Sequence, residues 1–554
     1  MTGGPHPQRR AAATTAALRL FRKPSGWQLA AGLVAALVLV PLSVLLLAWL
    51  EPAWEIWRHL RQTLLSRLLL NSLMLVAGVG GGTLLLGVSL AWLTGACDFP
   101  GRRLLSWTLL LPLAMPTYVL AFVFLGLFDF SGPVQSQLRD WFGAGVRFPD
   151  IRSTAGVILV MSLALYPYVY LLARNAFQTQ GKRGLEAAEI LGCSPLGGFF
   201  RVVLPMARPW IAGGLTLALM ETMADFGAVS IFNYDTFTTA IYKAWFGFFS
   251  LPAAAQLSSL LVVLVFVFIA VEQRMRSRMR FSQGRPTARA ERIELRGWSR
   301  YLAAGYAFGV LLIAFLLPVL QLLFWTLDIF HEEFDSRYLQ LLGHSLGLGL
   351  AAALLISAVA LLLAYAGRRH RDRLTGLLVR VATLGYALPG TVLAVGIFIP
   401  LAGLDNLLID GARHLFGLEI RPLLQGTIAV MLIAYLVRFM AAGYKPIDSA
   451  MHRVTDTIDE ASRLMGLRGL QLLTRVHLPM LRGGIFTALT LVFVDVMKEM
   501  PITLMTRPFG WDTLAVKIFE LTSEGEWERA ALPALTLLLS GLIPIIVLMR
   551  NSEQ

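Results

Sequence analysis

Long apolar stretches, each close to the thickness of a bilayer when helical, dominate the chain. A scan for stretches of about 20 residues, the length a helix needs to cross a membrane, predicts twelve spans. They lie near residues 28–50, 68–93, 104–128, 154–176, 209–233, 257–273, 301–327, 342–366, 374–402, 423–444, 484–505 and 530–550. The stretches lack the period-2 alternation of membrane β-barrel strands. We therefore predict an all-α integral membrane protein.

Composition agrees with this class. Of the 554 residues, 56% are hydrophobic and only 15% are charged, against about 25% charged in ordinary soluble domains. These values exclude a soluble enzyme, a disordered chain and a nucleic-acid-binding module. The two cysteines, Cys97 and Cys193, are far apart and predict two unpaired thiols.

The net charge of +14 is unevenly distributed. Basic residues cluster in segments 1–27, 274–300 and 368–373, whereas segments 328–335 and 520–528 on the other side are acidic. Basic loops of membrane proteins lie in the cytoplasm, so we predict that both termini are cytoplasmic. The first span is too long for a signal peptide and has no clear cleavage site after it, which indicates an uncleaved anchor.

An internal repeat divides the chain. Glu186 and Glu460, Gly192 and Gly466, and Pro205 and Pro479 each differ by 274 positions. Because each repeat holds an even number of spans, both halves have the same orientation in the membrane. We predict a cytoplasmic N-terminal segment (1–27), two parallel six-helix domains (28–273 and 301–550) and an arginine-rich cytoplasmic linker (274–300).

Each repeat carries a polar segment between its fourth and fifth spans, on the cytoplasmic side. Residues 186–191 have high helix propensity, and Gly192 can end that helix in the left-handed conformation. Leu204-Pro205 then restricts the entry into the next span. One such segment could be an ordinary helical loop. Two such segments at equivalent positions of the repeat favour a rigid helix that transmits motion from a soluble partner.

The segment resembles the signature loop of binding-protein-dependent ABC importer permeases, which docks into a groove of an ATPase subunit. Its pattern is Glu-Ala-Ala-x₃-Gly-x₉-Ile-x-Leu-Pro, with valine at the isoleucine position in both copies and Ser462 at the second alanine in the second. The matching residues are Glu186, Ala187, Ala188, Gly192, Leu204 and Pro205, and then Glu460, Ala461, Ser462, Gly466, Leu478 and Pro479.

This resemblance implies the type I permease fold in a bacterial inner membrane, with no nucleic-acid partner. Its expected partners are membrane lipid, two ATPase subunits that bind ATP and Mg²⁺ in the cytoplasm, and a periplasmic substrate-binding protein. The fused length and segments 115–122, 221–227 and 236–242 resemble ferric-iron permeases. Ferric ion is therefore the expected cargo. Thiamine and aminophosphonate permeases share the fused architecture and stay alternatives.

The chain itself is expected to be neither an enzyme nor a holder of a cofactor. A nucleotide-binding P-loop has the form GxxxxGK[ST]. The Gly-Lys pair of this chain, Gly181-Lys182, is followed by Arg183 and has Ala176 where the first glycine belongs. ATP hydrolysis must then come from a separate subunit.

Four acids fall inside the apolar spans. Glu221 and Asp225 are four residues apart, and Asp495 and Glu499 repeat that spacing 274 positions later, roughly 15 and 21 Å from the cytoplasmic end of each span. Charges at this depth usually face a bundle interior or a watery path. We predict that they line a translocation path and contact a hard cation such as Fe³⁺ transiently, without a resident metal. Pairing with a neighbouring lysine or arginine is the alternative. Tyr118, just after Pro116, is a further path candidate.

A secondary transporter is the rival class, because such carriers can also have six-plus-six parallel repeats and an intramembrane carboxylate. A gradient-driven carrier has no need of paired docking loops. These loops therefore favour the ATP-driven class.

Overall fold

The computed structural model describes residues 25–51, 53–143, 145, 148–277, 292–467 and 469–552. Most of the predicted N-terminal segment 1–27 and of the linker 274–300 lies outside the described residues. The domain limits 28–273 and 301–550 stay a prediction.

Helices make up nearly all of the regular structure. The first half of the sequence forms α1 (Gly26–Leu47), α2 (Trp54–Thr63), α3 (Leu65–Ala96), α4 (Arg102–Thr108), α5 (Thr117–Phe128), α6 (Pro133–Phe142), α7 (Thr154–Ile190), α8 (Pro195–Gly198), α9 (Leu204–Ala224), α10 (Gly227–Ile231), α11 (Phe237–Tyr242) and α12 (Leu251–Ser277). Tighter 3₁₀ or wider π turns cover Leu111–Ala114, Phe199–Val203 and Lys243–Gly247.

The second half repeats this order. It forms α13 (Ser299–Leu311), α14 (Leu317–Glu333), α15 (Ser336–Arg369), α16 (Arg373–Ala382), α17 (Gly390–Phe416), α18 (Ile428–Arg453), α19 (Asp456–Leu464), α20 (Leu470–Leu472), α21 (Leu478–Met480), α22 (Arg482–Lys498), α23 (Pro501–Thr506), α24 (Leu514–Ser523) and α25 (Ala531–Ser552). Short 3₁₀ or π turns cover Leu312–Leu316, Leu384–Ala387 and Leu473–His477.

The described residues contain ten helical segments that are long and apolar enough to cross a membrane. An eleventh is formed by Leu470–Met480 and Arg482–Lys498 if that pair, bent by 77°, is one span. The predicted twelfth span coincides with α25, whose described apolar part, Ala531–Leu542, is shorter than a full crossing.

Four predicted spans are not continuous helices, so that part of the prediction is wrong. They are spans 104–128, 209–233, 374–402 and 484–505. In the first and third, Met115 and Leu388 are extended because each precedes a proline, which disfavours helical backbone. In the other two, Asp225 and Glu499 are extended and separate a long helix from a short one. The breaks fall at equivalent places in the two repeats.

The protein has two hydrophobic cores, and each contains helices from both halves of the sequence. The first joins residues of α3 to α10, such as Val79 and Tyr166, to Leu322 and Leu537 of the second half. The second joins α1 and α12 to helices α15 to α18, and α1 packs directly on α16 and α17. Each core therefore needs helices from both halves.

The C-terminal end of the predicted linker forms a strand pair with the first half of the chain. Two two-residue strands, β1 (Cys97–Asp98) and β2 (Ile293–Glu294), pair in parallel, and the backbone N–H of Leu295 donates to the Asp98 carbonyl oxygen at 3.3 Å. This pairing holds the start of the second half against the loop that follows α3.

Candidate functional site

A cavity of about 260 Å³ lies where the four helix breaks meet. The two halves of the chain both line it. All five of the predicted path residues are in its wall, namely Tyr118, Glu221, Asp225, Asp495 and Glu499. Sequence reasoning did not find Arg438 of α18, Thr117, Tyr168 or Tyr386, which also line the cavity.

Asp225 and Glu499, at equivalent positions of the repeat, each accept a hydrogen bond from a backbone N–H in the first turn of the short helix that follows. The N–H of Val229 donates to Asp225 Oδ1 at 3.2 Å, and the N–H of Ile502 donates to Glu499 Oε1 at 3.0 Å. The Thr117 hydroxyl also donates to Asp225 Oδ2 at 2.5 Å. Capping satisfies backbone groups that the helix breaks leave free. These carboxylates thus have a structural task.

Glu499 is also half of a buried ion pair. Arg438 Nε lies 3.1 Å from Glu499 Oε2, and Arg438 Nη1 donates to the Leu388 carbonyl oxygen at 3.0 Å. The partner of Glu499 is therefore an arginine from a neighbouring helix rather than the adjacent Lys498. For this acid, the structure supports the pairing alternative.

Glu221 and Asp495 form the other equivalent pair, and their carboxylates are less committed. The Tyr386 hydroxyl donates to Glu221 Oε1 at a long 3.4 Å. Asp495 has no hydrogen bond or ion pair with any described residue. Both side chains are half-buried on the cavity wall. They are the two acids that can offer free oxygens to a cation.

Contacts around the cavity cross between the halves. Lys498 Nζ donates to the carbonyl oxygen of Leu113 at 3.0 Å, and the Tyr118 hydroxyl lies 3.5 Å from the Lys498 carbonyl oxygen. The bond from Tyr386 to Glu221 crosses in the same way. The helix break before Pro116 frees the Leu113 carbonyl for this contact.

The first docking loop continues a membrane helix. Glu186, Ala187 and Ala188 lie in the last turns of α7, and Gly192, with φ of +82°, turns the chain after it. Ala188 is fully buried under Gly198, whereas Glu186 is exposed, 3.7 Å from Lys182 Nζ. Leu204 and Pro205 open α9.

The second docking loop is built on a separate helix, α19, which carries Glu460, Ala461 and Ser462. Gly466 has φ of +85° and Leu478-Pro479 opens α21. The buried Asp459 carboxylate lies 2.7 Å from His477 Nε2 and 2.9 Å from an Arg368 nitrogen. This network fastens α19 both to α15 and to the segment before α22.

An exposed pair supplements this network. Arg371 Nη2 lies 2.6 Å from Asp456 Oδ1, and hydrogen bonds from Arg371 lower the pKa of the Asp456 carboxyl. Both side chains are largely open to solvent, so the contribution to stability is small.

Both docking loops present exposed apolar side chains that sequence reasoning missed. They are Ile190, Leu191 and Leu196 in the first loop and Leu464, Met465 and Leu470 in the second, each between 64% and 91% exposed. The members differ pairwise by 274 positions, so the repeat offset itself could have identified them. Apolar residues exposed in equivalent places mark an interaction surface.

This fold and cavity define a multi-span membrane transport protein made of two repeats. The chain belongs to the family described as binding-protein-dependent transport system inner membrane component, whose model matches residues 84–281 and again residues 356–551. It is thus the permease subunit of an ABC importer. The match confirms the predicted family and all-α two-repeat fold, and it sets aside the gradient-driven alternative.

The relatives cover either most of the chain or about a third of it. The Fe(3+)-transport system permease protein of Haemophilus influenzae is 26% identical over 88% of this chain and 90% of its own length. The molybdenum transport system permease protein of Escherichia coli is 29% identical over 34% of this chain and 82% of its own. The sulfate transport system permease protein of Escherichia coli is 29% identical over 35% of this chain and 69% of its own length.

Proposed function

We propose that this chain is the ferric-ion translocation subunit of an ATP-driven importer. Two separate ATPase subunits, which hold the ATP and Mg²⁺, dock at residues 186–205 and 460–479. A periplasmic binding protein delivers the cargo, and both termini of the chain lie in the cytoplasm. The chain itself contributes no nucleotide site. The similarity to a Fe(3+)-transport permease over 88% of the chain supports this cargo.

The observation that carries the proposal is the pair of free carboxylates in the cavity. Hard cations such as Fe³⁺ prefer oxygen ligands, and Glu221 and Asp495 offer carboxylate oxygens from the two halves of the chain. Two such groups, without a complete ligand cage, give the weak binding that conduction requires. ATP-driven rocking of the halves would open and close this position to each side of the membrane.

The charge of the cavity disfavours an anionic cargo. Sulfate, named in one relative, would meet four carboxylates and only two cationic side chains. One of these cations, Arg438, is already paired with Glu499. A phosphonate is disfavoured for the same reason.

A double variant tests the cation path. In E221Q/D495N, both free carboxylates become neutral amides of similar volume. We expect ferric-ion uptake into vesicles that contain the complete complex to fall at least about tenfold, because the oxygens that attract the cation lose their charge. The matched control is E528Q/D328N, which neutralises one exposed glutamate and one exposed aspartate. Normal uptake by well-folded E221Q/D495N would refute the cation path.

Thiamine is the second candidate, because aromatic side chains also line the cavity. They are Tyr118, Tyr168, Phe226, Tyr386 and Phe439. Aromatic faces attract organic cations. Thiamine uptake by the same vesicles, with ferric uptake absent, would select this cargo instead.

A further inference from the structure

Two cationic side chains line the cavity, and they are held differently. The Arg438 guanidinium is fixed between the Glu499 carboxylate and the Leu388 carbonyl oxygen. Among the described residues, the Lys498 ammonium donates to the neutral carbonyl oxygen of Leu113 and forms no ion pair with a carboxylate. Lys498 is therefore the cavity cation that no described carboxylate holds.

The repeat places alanines at the first-half counterparts of both cations. The equivalents of Lys498 and Arg438, 274 positions earlier, are Ala224 and Ala164, and both alanines also line the cavity. The described residues of the first half thus contribute no cationic side chain to the cavity wall. Asp495 lies three residues before Lys498 on α22, which places both on one helix face.

We propose that Lys498 is a built-in competitor of the cargo. Its ammonium, held at the Leu113 carbonyl oxygen, offsets the negative charge of the Glu221 and Asp495 carboxylates without pairing with either, and an entering cation competes with that charge. This inference rests on the proposed cation cargo. The two carboxylates would hold a trivalent ion longer if no cationic side chain in the cavity offset their negative charge. A tethered ammonium in the same cavity lowers the affinity for the cation and so favours its release.

The substitution K498M tests this role with two readouts. Terbium(III), a hard trivalent cation, is the probe for binding to the purified full chain. We expect K498M to bind terbium about tenfold more tightly, because one positive charge leaves the cavity. In vesicles that contain the complete complex, we expect ferric uptake to fall about fivefold because release is slower. A variant with a damaged structure would instead bind terbium more weakly and also take up less ferric ion.

Charge and position are separated by two controls. K498R keeps the charge and is expected to bind terbium within about twofold of the wild type. K445M removes an exposed lysine and should change neither readout. Terbium binding by K498M that is unchanged or weaker, faster uptake by K498M, or a K498R variant that binds as tightly as K498M would overturn the proposal.

The double variant E221Q/D495N distinguishes this failure from failure of the proposed function. If E221Q/D495N loses terbium binding while K498M binds like the wild type, the cation path stands and the role of Lys498 is refuted. If E221Q/D495N retains full terbium binding, the cation path itself is refuted.

Discussion

Asp495 and Glu499 lie one helical turn apart, yet among the described residues only Glu499 has a fixed cationic partner. In the Arg438–Glu499 pair, both side chains are at least 87% buried. Removing one charge from such a pair leaves the other uncompensated in a medium of low dielectric constant, which costs about 3–5 kcal/mol. Neutralising Glu499 should therefore reduce the stability of the fold, whereas neutralising Asp495 should leave stability nearly unchanged.

We expect E499Q to lower the free energy of unfolding by about 3 kcal/mol. D495N is the matched control, and we expect it to change stability by less than about 1 kcal/mol while it impairs transport. Thermal unfolding of the purified chain in one detergent measures both. Equal stability of E499Q and D495N would contradict the distinction between the structural and the free acid.

The repeat offset of 274 identified all four acids, but it could not say which of them are free. Capping by Asp225 and Glu499 depends on helix breaks, and the ion pair depends on Arg438, which lies 61 positions before Glu499 in the sequence. Such partners are set by tertiary packing. Pro116 and Pro389 signalled two of the four breaks, those at Met115 and Leu388, whereas apolar content alone predicted continuous spans and missed the breaks at Asp225 and Glu499.

At the scale of elements, the two docking helices are connected to the membrane helices differently. The first is the end of α7, a continuous helix of 37 residues. The second, α19, is a helix of nine residues held by the contacts of Asp459 with His477 and Arg368. The loop signature found both helices, but it contains neither Asp459 nor Arg368.

The substitution D459N tests whether this network transmits motion. Because Asp459 is buried and does not form the exposed surface, we expect the ATPase subunits still to bind. Loosening of α19 should raise the ATP hydrolysed per ferric ion transported about threefold, since a buried charged contact is lost. The control is D456N on the same helix, whose exposed carboxylate pairs with Arg371 at 2.6 Å and lies farther, 3.7 Å, from Arg368. An unchanged ratio in D459N, or loss of the ATPase subunits, would refute this role.

At the scale of the whole molecule, the exchanged cores make the two halves interdependent. Helix α1 packs on α16 and α17, so the first half would expose the apolar face of α1 if it were alone. Leu322 and Leu537 of the second half are likewise buried in the other core. The repeat in the sequence predicted two domains, and nothing in its periodicity indicated that their terminal helices pack on the opposite half.

A chain divided between residues 277 and 292 tests this interdependence. We expect the two pieces, when produced together, to purify as a complex, because each hydrophobic core contains helices from both and burial of apolar area drives assembly. Either piece produced alone should aggregate or be degraded. Size-exclusion chromatography in detergent, with a tag on one piece only, gives the result.

A first piece that is stable and monodisperse alone would show that the packing between the halves is dispensable. Restored ferric uptake by the assembled pieces would show that covalent connection is not needed for the halves to rock against each other.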